Sequence, residues 1–133
     1  GELPFYIMSA PTLNTFSEAD ARAAEAQGRV RIKQVLPVKV RPINSVLEEA
    51  LPDSPLDFLS IDVEGLDFAI LSSMDFSRWH PKVICAETIT YSEQNRGKKL
   101  PEIASLLHDA GYRPYADTHI NTIFVDRHII EAR

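Results

Sequence analysis

The 133-residue sequence contains a single cysteine, Cys85, so no disulfide can form within the chain and a reducing, cytoplasmic location is expected. It has no apolar run approaching the roughly 20 residues that a membrane-spanning helix needs, so we expect no membrane partner. It also lacks an excess of positive charge, because 14 lysines and arginines are outnumbered by 19 acids, giving a net charge of −5. Since non-specific nucleic-acid binding depends on clustered basic side chains, no nucleic-acid partner is expected.

The remaining composition is that of an ordinary globular protein, with 44% hydrophobic and 25% charged residues. The length corresponds to about one domain, so residues 1–133 are predicted to form a single one. Strand and helix patterns alternate along the chain, which predicts an α/β fold. In the first part, a strand over Leu3–Met8 precedes a helix over Glu18–Gln27, and alternating polar and apolar residues over 29–43 predict an edge strand.

The second part reads as strands and helices in turn. A short helix over Val46–Leu51 is followed by the elements Asp57–Val63 (strand), Leu66–Ser73 (helix), Lys82–Glu87 (strand), Pro101–Ala110 (helix) and the hairpin strands Tyr112–Ala116 and Thr122–Val125. The apolar residues Phe58, Leu59 and Ile61 show little alternation. This pattern predicts that their strand is covered on both faces, as parallel strands usually are.

Three acids follow two of these strands: Asp62 and Glu64 at the end of the first, and Glu87 at the end of the second. In open α/β sheets, ligands bind beyond the carboxyl ends of the strands, so these acids are candidate catalytic residues. A carboxylate at the rim of an apolar core loses hydration and stays charged only beside a cation or hydrogen-bond donors. The alternative is that Asp62 or Glu64 caps the helix beginning near Gly65. Glu87 precedes a loop and has no helix start to cap.

Two further side chains lie in predicted loops. His119 is in the hairpin turn, where an imidazole could accept or donate a proton near neutral pH; the alternative is a solvated turn histidine. Tyr91, in the polar loop after Glu87, could line a pocket, or it could pack on the nearby surface.

Four stretches together carry a family resemblance. "TLNTFSEADA", "LDFLSIDVEGLDFAILSSM", "PKVICAET" and "GYRPYADTHINTIFVDR" span nearly the whole chain and resemble the C-terminal part of FkbM-type methyltransferases. That family comprises S-adenosylmethionine-dependent O-methyltransferases. The resemblance implies the C-terminal half of a Rossmann-like methyltransferase fold, a mostly parallel sheet with a terminal antiparallel hairpin. Asp57–Val63 would be its fourth strand, Lys82–Glu87 its fifth and Tyr112–Val125 the closing hairpin.

The same resemblance implies that S-adenosylmethionine is the cofactor. The family binds it chiefly with a glycine-rich turn after the first strand and an acid ending the second. The five glycines of this chain include no G-x-G spacing, so its cofactor-binding residues are not identified. We therefore expect a fragment, the C-terminal portion of a methyltransferase domain, that does not bind the cofactor alone.

The implied reaction transfers a methyl group to a hydroxyl of a small molecule or saccharide. Two arrangements could remove the hydroxyl proton. In one, Asp62 and Glu87 bind Mg²⁺ or Ca²⁺, which polarises the hydroxyl. In the other, Asp62 or Glu64 acts as a general base without a metal. The sequence leaves both open.

Two rival functions use the same residues. A Mg²⁺-dependent phosphotransfer domain would also place acids at strand ends, together with a lysine or a hydroxyl facing them; Thr88 is available, but the sequence places no lysine there. A non-catalytic α/β remnant is the second rival. Its uncovered sheet edge could pair with another copy and form a homodimer.

Overall fold

The computed structural model describes residues 1–89 and 97–132, which form two compact units. The first contains residues 1–42 and 63–66, and the second contains residues 43–62 and the described residues from 67 onward. The predicted strands and helices are confirmed, with ends that differ by a few residues. No helix in the described part of the chain has the length and apolar character needed to cross a membrane.

The first unit is built on a two-stranded antiparallel ribbon, β1 (Glu2–Met8) paired with β2 (Ile32–Lys39). Pro4 lies directly opposite Pro37 in this ribbon. Along an antiparallel strand, successive backbone amides point alternately toward and away from the partner strand. The amide of Tyr6 points away from β2, because it donates to the Thr15 carbonyl at 2.8 Å. The two prolines share this outward orientation, since Pro4 is two residues before Tyr6. Neither of them removes a hydrogen bond from the ribbon.

A short 3-10 helix, Pro11–Leu13, and α1, Glu18–Ala26, connect the two strands. Ser17 caps α1, because its hydroxyl accepts a hydrogen bond from the Asp20 amide at 3.2 Å. The core of this unit is small, and its buried side chains are Tyr6, Met8, Leu13 and Ala21. The far half of the ribbon is more exposed, so Leu3, Val35 and Leu36 remain accessible.

The second unit contains four strands and four helices within the described residues. In chain order they are α2 (Ile43–Ala50), β3 (Phe58–Ile61), α3 (Asp67–Ser73), β4 (Val83–Glu87), α4 (Pro101–Asp109), β5 (Tyr112–Asp117), β6 (Asn121–Asp126) and α5 (Arg127–Glu131). The sequence predicted neither α5 nor the 3-10 helix of the first unit, because both are shorter than the segments in which a helical period can be recognised.

The sheet of the second unit has the order β3-β4-β6-β5. Within the described chain, β3 and β4 pair in parallel, whereas β6 pairs antiparallel with both β4 and β5. The mixed α/β class and the terminal antiparallel hairpin are therefore observed, but a mostly parallel sheet is not confirmed. β6 lies between β4 and β5 and is antiparallel to both, so β5 runs in the same direction as β4.

The two faces of this sheet differ in burial. Ile61, Ala86 and Phe124 point to one face and are buried, and Leu59 on that face packs against the cluster of Leu47, Met74 and Trp79. The other face, which we call the open face, comprises Phe58, Ser60, Val83, Cys85, Ile123 and Val125, all of them exposed or half-buried.

The prediction that β3 is covered on both faces is therefore wrong for the described structure. The side chain of Phe58 is 56% exposed, and Ser60 is also exposed. An apolar strand sequence indicates that both faces of the strand are suited to burial, but it does not indicate which segment covers each face. β3 is moreover the first strand in the sheet order, so one side of its backbone has no strand partner among the described residues.

Candidate functional site

Asp62 and Glu87 lie together at the carboxyl ends of the parallel strands β3 and β4. The last residues paired in register are Ile61 and Ala86, so Asp62 and Glu87 follow side by side. Carboxylate oxygens of the two residues are within 4.8 Å of each other. Asp62 is exposed and Glu87 is half-buried, opposite Asn121 on β6. The sequence prediction that acids from neighbouring strand ends meet is thus realised for this pair.

This pair has two chemical capacities. A carboxylate can accept a proton from a hydroxyl that is held within hydrogen-bonding distance. Carboxylate oxygens are also the preferred ligands of hard cations, and two oxygens bound to one Ca²⁺ lie at most about 5.2 Å apart. The observed separation is compatible with both, so the catalytic and metal-binding roles of Asp62 and Glu87 remain predictions.

Glu64 belongs to the first unit, where hydrogen bonds hold its backbone in an unusual conformation. Its φ is +47°, in the left-handed region. Its carbonyl oxygen accepts hydrogen bonds from the Phe16 amide at 3.0 Å and the Thr15 hydroxyl at 2.9 Å. These bonds stabilise a conformation that is otherwise unfavourable for a residue with a side chain. The exposed side chain of Glu64 remains a candidate base on the sequence argument alone.

Gly65 continues this turn with a φ of +99°. A Cβ atom at Gly65 would lie 3.2 Å from the Cβ of Ser17 and 3.3 Å from the Oγ1 of Thr15. The conformation therefore requires glycine for two reasons, the positive φ and the close approach of the neighbouring segment.

Substituting Gly65 with alanine is expected to destabilise the protein more than the same change at Gly28. Gly28 has a φ of +79°, but a Cβ there would meet no atom within 4 Å, so Gly28→Ala measures the cost of the backbone alone, about 1 to 2 kcal/mol. Gly65→Ala adds crowding against Ser17 and Thr15, roughly 1 kcal/mol or more. Urea denaturation of both variants measures the difference. Equal losses would contradict the contribution of the contacts.

His119 lies in the turn between β5 and β6 and is exposed. Its φ is +78°, again in the left-handed region. The amide of His119 donates to Asp117 Oδ1 at 2.7 Å, and Thr118 and Asn121 are hydrogen-bonded across the same turn. His119 is therefore held by a structured turn, although its catalytic role stays a prediction. Tyr91 lies outside the described residues.

Sequence reasoning missed a second polar cluster beside this turn. Lys99 Nζ lies 2.7 Å from Asp117 Oδ1 and 3.3 Å from the hydroxyl of Thr88. That hydroxyl is 2.6 Å from the hydroxyl of Thr122, and both threonines are buried. The hydrogen bond from Lys99, followed by that from the His119 amide, lowers the pKa of Asp117 below its ordinary value of 3.8. The only sequence signal was the polar character of the separate segments.

The cluster does not favour the phosphotransfer alternative. That function expects a lysine or hydroxyl facing the acids. Thr88 follows Glu87 directly and hydrogen-bonds to Thr122, which pairs with buried Ala86. Since consecutive residues of a strand point to opposite faces, Thr88 and Lys99 lie on the side of the sheet away from the Glu87 side chain.

The model of the methyltransferase FkbM domain matches residues 5–114. The chain belongs to the FkbM methyltransferase family. The match covers more than half of the chain and includes the ends of β3 and β4 that carry Asp62 and Glu87, which confirms the resemblance noted in the sequence. No curated protein and no solved structure matches the chain.

Proposed function

We propose that this FkbM-family protein transfers a methyl group from S-adenosylmethionine to a hydroxyl of a small-molecule or saccharide acceptor. The observation that carries the proposal is the pairing of Asp62 with Glu87 at the carboxyl edge of the sheet, in a chain that belongs to a methyltransferase family. This edge is where α/β proteins bind their ligands. S-adenosylmethionine supplies an electrophilic methyl group when bound.

The proposed task of the acid pair is to take the acceptor proton. A hydroxyl becomes a better nucleophile as its proton leaves, and a carboxylate within hydrogen-bonding distance can accept that proton. Glu87 is half-buried at the end of β4, and one of its carboxylate oxygens lies within 4.8 Å of one of Asp62. Alternatively, the pair holds a divalent cation that polarises the hydroxyl. His119 and Glu64 are proposed as further participants in proton transfer.

The residues of this chain do not supply the glycine-rich turn expected for the methyl donor, because the five glycines include no G-x-G spacing. We propose that a part of the protein outside residues 1–133 holds the donor and covers the open face. The exposed Phe58 and the side of β3 that has no strand partner among the described residues support this proposal. An apolar face beside a free strand edge is suited to continuing the sheet. A second copy of this chain is the competing occupant.

Calorimetric titration tests the proposal directly. S-adenosylmethionine is titrated into residues 1–133 and into the same protein extended at its amino end. We expect saturable binding by the extended protein and none, or much weaker binding, by residues 1–133. Methyl transfer from labelled S-adenosylmethionine to a panel of saccharide and small-molecule hydroxyls then identifies the acceptor class. Absence of binding by both proteins would overturn the proposed function, and a dimer of residues 1–133 in gel filtration would favour the second copy as occupant.

A further inference from the structure

Lys99 is anchored in the backbone next to the end of β4. The chain leaves β4 through Thr88 and Ile89 and returns at Lys99, which forms an antiparallel bridge with Ile89. The amide of Leu100 donates to the carbonyl of Thr88 at 2.8 Å. The backbone of Lys99 is therefore fixed opposite Ile89, two residues beyond the strand end that carries Glu87.

The ammonium group of Lys99 forms hydrogen bonds to two segments, the end of β4 and the end of β5. On one side it donates to the hydroxyl of Thr88, which is 3% exposed and pairs with Thr122. On the other side it donates to Asp117 at the end of β5. Hydrogen bonds that involve an ionised group are roughly twice as strong as neutral ones. A single side chain thus links the residue after β4 to the last residue of β5.

Asp117 is also hydrogen-bonded to the turn between β5 and β6. The same oxygen that accepts from Lys99, Oδ1, also accepts from the His119 amide at 2.7 Å. The left-handed backbone of His119 is unfavourable for a residue with a side chain unless neighbouring hydrogen bonds compensate for it. The Ile120 carbonyl, next in the turn, accepts from the Thr88 amide at 2.9 Å. The turn is therefore connected to Thr88 twice, through Asp117 and Lys99 and through the Ile120 carbonyl. Thr88 directly follows Glu87.

We propose that Lys99 is a positioning residue that, through Asp117, holds the turn bearing His119 in a fixed place beside the end of β4. The inference rests on the proposed function for its catalytic consequence, since Glu87 and His119 are the groups being aligned. Its structural part, the link from Lys99 to the His119 backbone, is independent of any activity. Lys99 touches neither acceptor nor donor in this role.

The test compares Lys99→Met with Lys99→Arg and with a matched control, Lys82→Met. Lys82 also forms an ion pair at 2.7 Å, with Asp57, but at the amino end of β3 and β4. The first measurement is an NMR pH titration of the His119 amide in the intact protein. Because Asp117 accepts a hydrogen bond from this amide, the resonance reports the ionisation of Asp117.

The sign of the expected change follows from the lowered pKa of Asp117, which Lys99 causes in largest part. The hydrogen bond from His119 to an ionised Asp117 is fully present above pH 3.8 and is lost as the pH falls through the lower folded-state pKa. In Lys99→Met the midpoint of the titration should move up in pH, and the amide should exchange faster with solvent. Lys99→Arg should restore both, and Lys82→Met should change neither.

The second measurement is methyl transfer. Misplacement of the turn in Lys99→Met should lower kcat by about 10- to 100-fold with a much smaller change in KM. An unchanged His119 amide in Lys99→Met, or the same change in Lys82→Met, would overturn the link itself. A changed amide with normal kcat would overturn the positioning role. If wild-type protein transfers no methyl group while the amide responds as expected, the proposed function fails and the link stands.

Discussion

Replacing Glu87 with glutamine is expected to lower kcat/KM for methyl transfer by about 10²- to 10⁴-fold, the usual contribution of a positioned proton acceptor. Glutamine keeps the size of the side chain but cannot accept a proton or neutralise a cation. Asp62→Asn should have an effect in the same range, since one carboxylate oxygen of Asp62 lies within 4.8 Å of one of Glu87. The measurement is transfer of a labelled methyl group, carried out with the amino-extended protein.

The matched control is Asp57→Asn. Asp57 immediately precedes β3, whereas Asp62 immediately follows it, and Asp57 is engaged with Lys82 at the other end of the strand. Removing its charge should leave methyl transfer unchanged. A similar loss in all three variants would indicate a general effect of charge or stability and would contradict a specific role for the acid pair.

The same variants separate the two proposed chemistries. If the pair holds a divalent cation, chelator should abolish wild-type activity, and Glu87→Gln should raise the metal concentration needed to restore it. If Glu87 is a general base, chelator should have no effect. The acidic limb of the wild-type profile of kcat/KM against pH should then disappear in Glu87→Gln. Loss of activity with chelator together with an unchanged metal requirement in the variant would exclude Glu87 as a ligand.

Replacing Phe124 with alanine is expected to reduce the free energy of unfolding by about 3 to 5 kcal/mol. Phe124 is 0% exposed, in β6 between Ile84 of β4 and Pro114 of β5. The substitution removes its apolar contacts and leaves a cavity that rigid neighbouring strands cannot close. Since a typical domain is stable by only about 5 to 15 kcal/mol, this single change should remove much of the margin. Urea denaturation followed by circular dichroism measures the loss.

Phe58→Ala is the control for this experiment. Phe58 is 56% exposed on the open face, so in residues 1–133 its truncation should cost less than about 1 kcal/mol. In the amino-extended protein the cost should rise if the added segment covers that face, as we propose. An equal, small cost in both proteins would contradict covering of Phe58 by the added segment.

Local sequence patterns predicted most of the secondary-structure elements. α1 followed from an alanine-rich segment that ends at Gly28, α4 followed from its apolar spacing and its terminal Gly111, and the strands β3 and β4 followed from short apolar runs. Burial was less predictable. Phe58 belongs to a strand whose composition suits a doubly covered position, yet its burial depends on a neighbour that the strand sequence does not specify.

In the candidate site, too, some features could be predicted from the sequence and others could not. The proximity of Asp62 and Glu87 could be predicted because parallel strands end at the same edge of a sheet. The link between Lys99 and Asp117 could not. These residues are 18 positions apart, and their meeting depends on how the hairpin pairs, including a register shift between Pro114 and Ala116. No local pattern in the sequence encodes such a shift.

The opposed prolines of the first unit have a consequence for association. Because Pro4 and Pro37 both face outward, each long edge of the ribbon lacks an amide donor at the same level. An incoming strand from a neighbouring molecule would find a gap in its ladder whichever edge it approached. The ribbon can thus expose apolar side chains such as Leu3 and Val35 with reduced risk of edge-to-edge polymerisation into amyloid-like stacks.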